Sequence, residues 1–566
     1  MMSEIDPFTL EVVKNSLIAI AEEEFIVFGR TSKSPVIYEV LDYAVAITNN
    51  KGELVAQANG VPGFLGVLDL AVKDCIKKYG INGFSEGDII ITNIPYSHGT
   101  HLNDVTLISP VFYDSQLIAF SVNKGHWSEV GGMRFGSWTT DSTEIYQEGL
   151  QFPLLKLYNA GEPNRDLFDL IRTNVRTPDM TLGDMEAQAA ALRLGGRRIA
   201  QLCARHGLET VVKAMEAIIR DGEEKAYQEL RKLPHGVFEA EDYIDDDGFS
   251  DNPVYVKARI TISDDSFIVD YSGSSQQAKG PINSPYSMTI AAAKVMFKAI
   301  TDPSSPANEG AFRPVKVFAP EGTVFHPKPP APVATFWEAG SFAAELIWKA
   351  LAPHVPDKLT AGHFLSVCAT IVGGVDDRTG EPFAIVEPQP GGWGAGYNKD
   401  GESGMVCSLD GETYIMSNEV IEVRYPIRVE QYSLNLKDKP GAGKFRGGHG
   451  IIKDYRVVNS HAIFTASFGR SKFPPWGMAG GHGGTPNYII IYRKGKAPLK
   501  TRKAAAIQLQ KGDLIRLVTG GGGGYGNPRE RDRTLVLHDV RDGYITAKEA
   551  RTIYGVKIGR MDRPRY

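Results

Sequence analysis

The stretch NIPYSHGTHLNDVTLISPVFYDSQLIAFSVNKGHWSEVGG, residues 93–132, decides how the rest of the chain is read. Its two apolar runs, Val105–Phe112 and Leu117–Val122, read as neighbouring strands. Three of the chain's twelve histidines, His98, His101 and His126, fall at one end of that pair, with Asp104 among them and Glu129 just beyond. Imidazole and carboxylate together form a ligand set for Zn, Mn or Fe. His101 and Asp104 are three apart, so a straight strand would turn them to opposite faces. Pro95, Gly99 and Asn103 mark a loop instead, and a loop or single turn can aim both side chains at one point. The plainer alternative is that these histidines satisfy buried hydrogen bonds. The density of the cluster is what weighs against it.

Working outward, 566 residues are too many for one core, and two to four domains are expected. The pattern divides into an α+β region carrying the candidate site (1–140), a helical region (141–235), a mixed region (236–360) and a β-rich, glycine-rich region (361–566). Hydrophobic content of 42% and charge of 23% are those of a soluble globular protein. A net charge of −5 and the lack of a basic arm argue against a nucleic-acid surface. Cys75, Cys203, Cys368 and Cys407 lie far apart with no CxxC pairing and read as reduced structural thiols. The acidic first residues lack the apolar core of a secretory leader, and no apolar run reaches bilayer length, so a cytosolic (cytoplasmic) location is expected.

Residues 7–30 place apolar side chains at helical spacing, with Pro7 suited to the first turn. A strand from about Val36, an NNKG turn and a second strand follow, a β-hairpin with Glu39 and Asp42 at its start. Asp42 sits among Leu41, Tyr43 and Val45, and both a turn-capping role and a place as fourth metal ligand remain open for it. A helix is expected over 66–79. GFSEG at 83–87 matches the nucleophile-elbow pattern, but the helix precedes it and the strand follows, the reverse of what that motif needs. Residues 141–233 read as helical, with Arg172, Asn174, Arg176, Asp184 and Gln188 either on solvated faces or lining a cleft.

Strands are expected over 235–275, and the acidic run 242–251 within them lacks the calcium-loop register and reads as a solvated turn. Helices are expected at 285–302 and 338–353. Strands separated by glycine islands then run to about 540, before a short helix closed by Gly555. Gly441-Ala442-Gly443-Lys444 is no P-loop: Asp438 stands at the first glycine position and Phe445 where Ser or Thr must hold magnesium.

Ten segments carry a resemblance. They include DPFTLEVVKNSLIAIAEE, NIPYSHGTHLNDVTLISPVF, GHWSEVGG, EIYQEGLQFP, TNVRTPDMTLGDMEAQAAA, GGWGAGYNKDGESG and GGGGGYGNPRER. On these the chain is identified as a member of the hydantoinase B/oxoprolinase family. The resemblance implies a large multidomain α+β subunit that pairs with a separate ATP-binding hydantoinase A-type subunit. It implies one divalent metal (Zn, Mn or Fe) held by Asp42, His101, Asp104 and His126, with Glu39 the alternative to Asp42. In the family pattern E-R-x-D-x-S the Arg and Ser are lost here. Phe64 stands where histidine is usual, and Glu129 where aspartate is common, both pointing to an altered, more apolar substrate pocket.

The activity implied is ATP-dependent opening of a cyclic amide: hydantoin, 5-oxoproline or a related lactam. Metal-activated water would attack the carbon, with Glu129 as general base or as the group orienting His126. The alternative is a subunit of an acetone- or acetophenone-type ketone carboxylase. The aromatics Trp127, Trp138, Trp337 and Trp393 would suit an aryl ketone, and would equally suit core packing.

Overall fold

The Asp6 side chain accepts from the amides of Phe8 and Thr9, and Pro7 occupies the first helical position, so helix α1 (Pro7–Thr31) begins where the sequence predicts. In this computed structural model, which describes residues 5–559, the chain divides into two compact units. The first holds the chain up to Glu239, Val256–Ala344 and the short segment Leu409–Met416; the second holds Ala240–Tyr255, Glu345–Ser408 and everything from Ser417.

The first unit is built on an antiparallel sheet in the order β2-β1-β5-β4-β3-β6-β7. Its strands are β1 (Tyr43–Asn49), β2 (Leu54–Gln57), β3 (Ile89–Thr92), β4 (Asp104–Tyr113), β5 (Gln116–His126), β6 (Leu155–Asn159) and β7 (Glu162–Pro163). Between and after them come α2 (Pro35–Tyr38), α3 (Pro62–Leu65), α4 (Leu68–Tyr79), α5 (Arg165–Asn174), α6 (Pro178–His206) and α7 (Leu208–Leu230). Strand β1 is buried along its whole length because both faces of the sheet are covered. Val45 and Ile47 pack with Val13, Leu17, Ile199 and Met215, while the alternate residues Ala44 and Ala46 pack with Leu68, Ala71 and Val72. The same unit contains β10 (Phe267–Asp270) paired with β9 (Val254–Ile262) and β11 (Val315–Phe318), together with α8 (Tyr286–Thr301) and the start of α9 (Trp337–Leu351). The chain passes into the second unit within β8 (Gly236–Ile244) and returns within β9.

The second unit has two antiparallel sheets, β13-β12-β16-β19 and β14-β15-β20-β17-β18. The strands are β12 (Ala369–Val375), β13 (Pro382–Glu387), β14 (Ile427–Leu434), β15 (Ile451–Val457), β16 (His461–Ser467), β17 (Tyr488–Tyr492), β18 (Leu499–Thr501), β19 (Lys503–Gln510) and β20 (Leu514–Val518), with helices α10 (Asn418–Arg424), α11 (Arg533–Arg541) and α12 (Ala547–Thr552). The glycine islands are packing devices rather than loose turns. A Cβ on Gly522 would collide with the carbonyl oxygen of Trp393, and one on Gly448 with that of Glu402. Only glycine lets these backbones approach so closely. The α+β architecture with several antiparallel sheets is the one the sequence predicts.

Four local expectations differ. The expected strand from Val36 is instead the single turn α2, and Leu41 at φ +61° swings the chain from it into β1. The segment STEIYQEGLQFP forms only one 3-10 turn, Ile145–Gln147, closed by reciprocal Glu144 and Gln147 capping. Gly149 at φ +134° and then Pro153 stop any helix there. Asp184 and Gln188 are neither solvated nor in a cleft. The former accepts from the amides of Lys33 and Ser34; the latter accepts from the Trp127 indole and donates to the Val105 carbonyl. The acidic run 242–251 is likewise largely enlisted: Asp242 pairs with Arg470, Asp245 accepts from the amides of Ser471 and Lys472, and Asp246 pairs with Lys503.

Candidate metal centre

Asp104 opens β4 and His126 closes β5, and the two are register partners at the open end of that hairpin. Directly opposite residues share one face of a sheet, so the pairing alone brings a carboxylate to an imidazole. His101 joins them through the tight turn before β4, in which the Asp104 amide donates to the His101 carbonyl at 3.2 Å. Three ligand-type atoms meet as a result: His101 Nε2 to Asp104 Oδ1 is 3.0 Å, His126 Nδ1 to Asp104 Oδ1 is 3.1 Å, and His101 Nε2 to His126 Nδ1 is 3.2 Å. All three side chains are buried.

Asp42 lies one residue before β1, whose Tyr43 faces Gly125 of β5. The His126 amide donates to the Asp42 carbonyl at 3.0 Å, and the Asp42 carboxylate lies 3.8 Å from His126 Nδ1. A second acid arrives from far downstream. Asp410 sits in the returning segment 409–416, which is anchored by the Tyr414 amide donating to the Val40 carbonyl at 2.8 Å.

The electrostatics follow from crowding these groups out of water. Burial, then Asp410 and Asp104, push the Asp42 carboxyl well above the usual carboxylate range. Burial and the Asp104 charge push Asp410 up to about 7. Burial opposes the charge on Asp104 too, but His101 and His126, by charge and hydrogen bond, outweigh it and hold that carboxyl below the ordinary range. His126 is held down by burial, hence neutral at pH 7. Lys124 is fully buried on the same face of β5 and contacts Thr100 Oγ1 at 3.5 Å; Thr100 in turn donates to Asp104 Oδ2. Burial brings Lys124 down to about 8, with Asp104 working against the fall.

The donor set fits a divalent cation. The Ala334 carbonyl can only accept, so the 3.1 Å contact with His101 Nδ1 puts a proton on that nitrogen, and the neutral form of His101 then keeps its lone pair on Nε2. That lone pair faces the Asp104 carboxylate at 3.0 Å, an arrangement that calls for a positive charge between them. Bonds of about 2.1 Å to one ion would separate its ligand atoms by about 3.0 Å at right angles and about 3.4 Å at tetrahedral angles. The three separations observed fall in that interval. Asp42 Oδ1 and His126 Nε2 are also buried without a hydrogen-bond partner among the described residues.

Residues 6–528 match the hydantoinase B/oxoprolinase family along nearly the whole chain. The chain belongs to the hydantoinase B/oxoprolinase family. It is 33% identical over 579 residues to a putative D-/L-hydantoinase subunit of Pseudomonas sp. strain NS671, covering 98% of this chain and 96% of that one. The crystal structure of the ATP-dependent caprolactamase from Pseudomonas jessenii matches with a TM-score of 0.92 at 28% identity, over 99% of this chain and 98% of that one. A nucleotide-free acetone carboxylase shares the fold, with a TM-score of 0.91 at 18% identity, over 99% and 81% of the two chains.

In this hydantoinase B-family chain the other residues singled out from sequence have definite places. His98 is fully engaged: Nδ1 donates to Asp74 at 2.8 Å and Nε2 accepts from the Thr92 hydroxyl at 2.8 Å. Glu129 is engaged as well, by Arg176 at 2.9 Å, the Ser137 hydroxyl at 2.6 Å and the Gly131 amide at 2.8 Å. These contacts tie the Glu129 carboxylate to Arg176 and to the 129–137 loop, and among the described residues no hydrogen bond joins it to His126. Glu39 sits at the end of α2, and among the described residues no hydrogen bond or ion pair joins its side chain to the His-Asp-His group. Phe64 is buried, with the Lys124 ammonium 5.6 Å from its ring centre. The Trp127 indole donates to Gln188 and that of Trp393 to the Val406 carbonyl. Trp337 alone of the four tryptophans stacks edge-on against His101, and Trp138 packs on Trp337.

Four residues of the site lie outside what the sequence marks: Lys124, Thr100, Glu148 and Asp410. Lys124 is recoverable in principle, because it lies two residues before His126 on a strand and so faces the same side. Glu148 and Asp410 carry no local signal.

Proposed function

We propose that this chain is the metal-holding subunit of an ATP-dependent amidohydrolase that opens a cyclic amide, working with a separate ATP-binding subunit of hydantoinase A type. The observation that carries the reading is the meeting of His101 Nε2, Asp104 Oδ1 and His126 Nδ1 within 3.2 Å of one another, with the Asp42 carboxylate beside them. A divalent ion (Zn, Mn or Fe) held by these four residues would supply Lewis acidity toward a water or an amide oxygen. The chain's own residues do the rest. Ala334 would fix the tautomer of His101, the Thr100 hydroxyl, itself contacted by Lys124, donates to Asp104, and the Asp410 carboxyl would take the proton lost by an attacking water.

The partner is supported by the relatives, one a hydantoinase subunit and one an ATP-dependent caprolactamase, and by the lack of a P-loop in the sequence. Unstrained cyclic amides are poor electrophiles, which makes coupling to ATP chemically sensible. A second reading, a ketone-carboxylase subunit, draws on the Trp138–Trp337 wall beside His101, which would suit an aryl ketone.

The deciding experiment is metal analysis of the purified chain, then assay of the complex with ATP on hydantoins and lactams against ketones plus bicarbonate. Ring opening with one metal per chain supports the proposal. Bicarbonate-dependent ketone consumption selects the second reading, and full activity from metal-free protein overturns both.

A further inference from the structure

The chain has six tryptophans, and four of them have an acceptor for the indole proton: Trp127 on Gln188, Trp348 on Thr360, Trp393 on Val406 and Trp476 on Glu345. Trp337 does not. Its Nε1 is buried with no hydrogen-bond partner among the described residues, and so is the hydroxyl of Thr335 two residues earlier. A buried donor left unmet destabilises the fold, and such groups persist where a ligand meets them. The location is specific. The Trp337 ring stands edge-on to His101, 5.8 Å between centres, and edge-on to Trp138 at 5.2 Å; Phe336 lies 5.1 Å from His101.

The backbone that presents these groups is also fixed. Glu148 accepts from the amides of Val333 and Ala334 at 3.0 Å each, and the Thr335 amide donates to the Pro281 carbonyl at 2.9 Å. The indole carried by this backbone packs against His101, Trp138 and Phe336.

We infer that Trp337 is a substrate-binding residue of this centre, giving its indole N–H to a carbonyl oxygen of an uncharged cyclic amide whose ring lies against Phe336 and Trp138. This rests on the proposed function and narrows it. Asp42, Asp104 and Asp410 act on one another at this centre and Glu148 lies behind His101, against the Lys124 ammonium near Asp104 and the proposed dication. Among these groups no positive charge is left over for a substrate carboxylate. The class recognised is then a hydantoin or simple lactam, not the anionic 5-oxoproline. The Thr335 hydroxyl, which can donate or accept, is available to the ring N–H or the second carbonyl.

The test uses the full chain, loaded with Zn(II) and labelled with 15N in its indoles. Trp337→Phe removes one of six indole resonances and so identifies Trp337. Added hydantoin should move that resonance, and 5-oxoproline at the same concentration should leave it in place. Trp337→Phe should still bind one Zn(II) per chain but bind hydantoin about tenfold more weakly, read from the remaining indoles, as expected for one lost neutral hydrogen bond. An immobile Trp337 resonance at saturating hydantoin overturns the inference. So does unchanged hydantoin affinity in Trp337→Phe, or an equal response to 5-oxoproline. Failure of the wild-type chain to bind Zn(II) is a separate result, and it strikes the metal reading itself.

Discussion

The carbonyl oxygen of Ala334 accepts the Nδ1 proton of His101 at 3.1 Å, and this bond decides which nitrogen of His101 can meet a metal. Ala334 is held in turn by Glu148, which takes the amides of Val333 and Ala334 and the Ser142 hydroxyl. Groups that orient a ligand from behind typically change metal affinity about 10–100-fold when removed. Glu148→Ala should therefore weaken metal binding by about that factor while the protein still folds. Glu148→Gln keeps one acceptor oxygen and should lose less. Metal titration with a competing chelator separates the two, and equal, undiminished affinity in both would leave Glu148 without the positioning role.

The centre is legible in the sequence to the extent that strands carry it. His101, Asp104 and His126 sit close together in the chain, on a hairpin whose register follows from alternating apolar residues, so their meeting can be anticipated. Asp410 and Ala334 cannot be. They reach His101 and Asp104 only through the tertiary fold, and nothing in their own neighbourhoods marks them. The same limit explains Glu129. Its place just after the GH pair marks it as a site residue, while its ion-pair partner Arg176 lies 47 residues further on and carries no local signal. The fold shows the contrast too. Helix α1 and hairpin β1–β2 have strong local signals, whereas the segment around Glu148 reads as helix although its reverse turn serves a buried carboxylate rather than a local periodicity.

Burial and Asp104 push Asp410 up to about 7 without a bound ion, against an ordinary value of 3.8. Between those values the folded chain holds a proton that the unfolded chain has lost. The contribution of this group to stability is thus fully present below about pH 4 and is lost as pH rises toward 7. A dication favours the ionised carboxylate and removes that penalty. The gain in thermal stability on adding metal should therefore grow from pH 5 to pH 7.5 and then level off. Apparent metal affinity should rise by up to about tenfold per pH unit below 7 for each proton displaced. Asp410→Asn should flatten both curves, as followed by thermal unfolding with and without Mn(II). A metal-induced shift independent of pH would contradict the placement of Asp410.

In the second unit Lys453 and Glu387 form a fully buried pair, with the Lys453 ammonium 3.0 and 2.9 Å from the two carboxylate oxygens and the Tyr455 hydroxyl donating to one of them. Removing one member of a buried pair strands the other charge, at about 3–5 kcal/mol, whereas replacing both with apolar groups is often neutral. Lys453→Met should lower stability by that order, and Lys453→Met combined with Glu387→Leu should recover much of it. Urea unfolding of the three proteins measures this. A double variant no better than the single one would mean that Glu387 holds the structure through its other contacts.

His126→Ala and His98→Ala form the sharpest pair, because the two histidines lie on the same stretch and both are buried. His126 contributes Nδ1 to the meeting of ligand atoms. His98 has both nitrogens engaged, by Asp74 and Thr92, and no hydrogen bond joins it to His101, Asp104 or His126 among the described residues. Losing His126 should empty the centre and abolish turnover while the chain folds, since its place at the strand end leaves the β4–β5 ladder intact. Losing His98 leaves the Asp74 carboxylate and the Thr92 hydroxyl without their partner, at about 1–3 kcal/mol. His98→Ala should therefore show a lowered melting temperature with one metal per chain and measurable activity. The two variants fail in opposite ways: one stable and metal-free, the other less stable and loaded. If His98→Ala also came out metal-free at a temperature where it is folded, the ligand set would have to include His98, and Asp104 would be the assignment to withdraw.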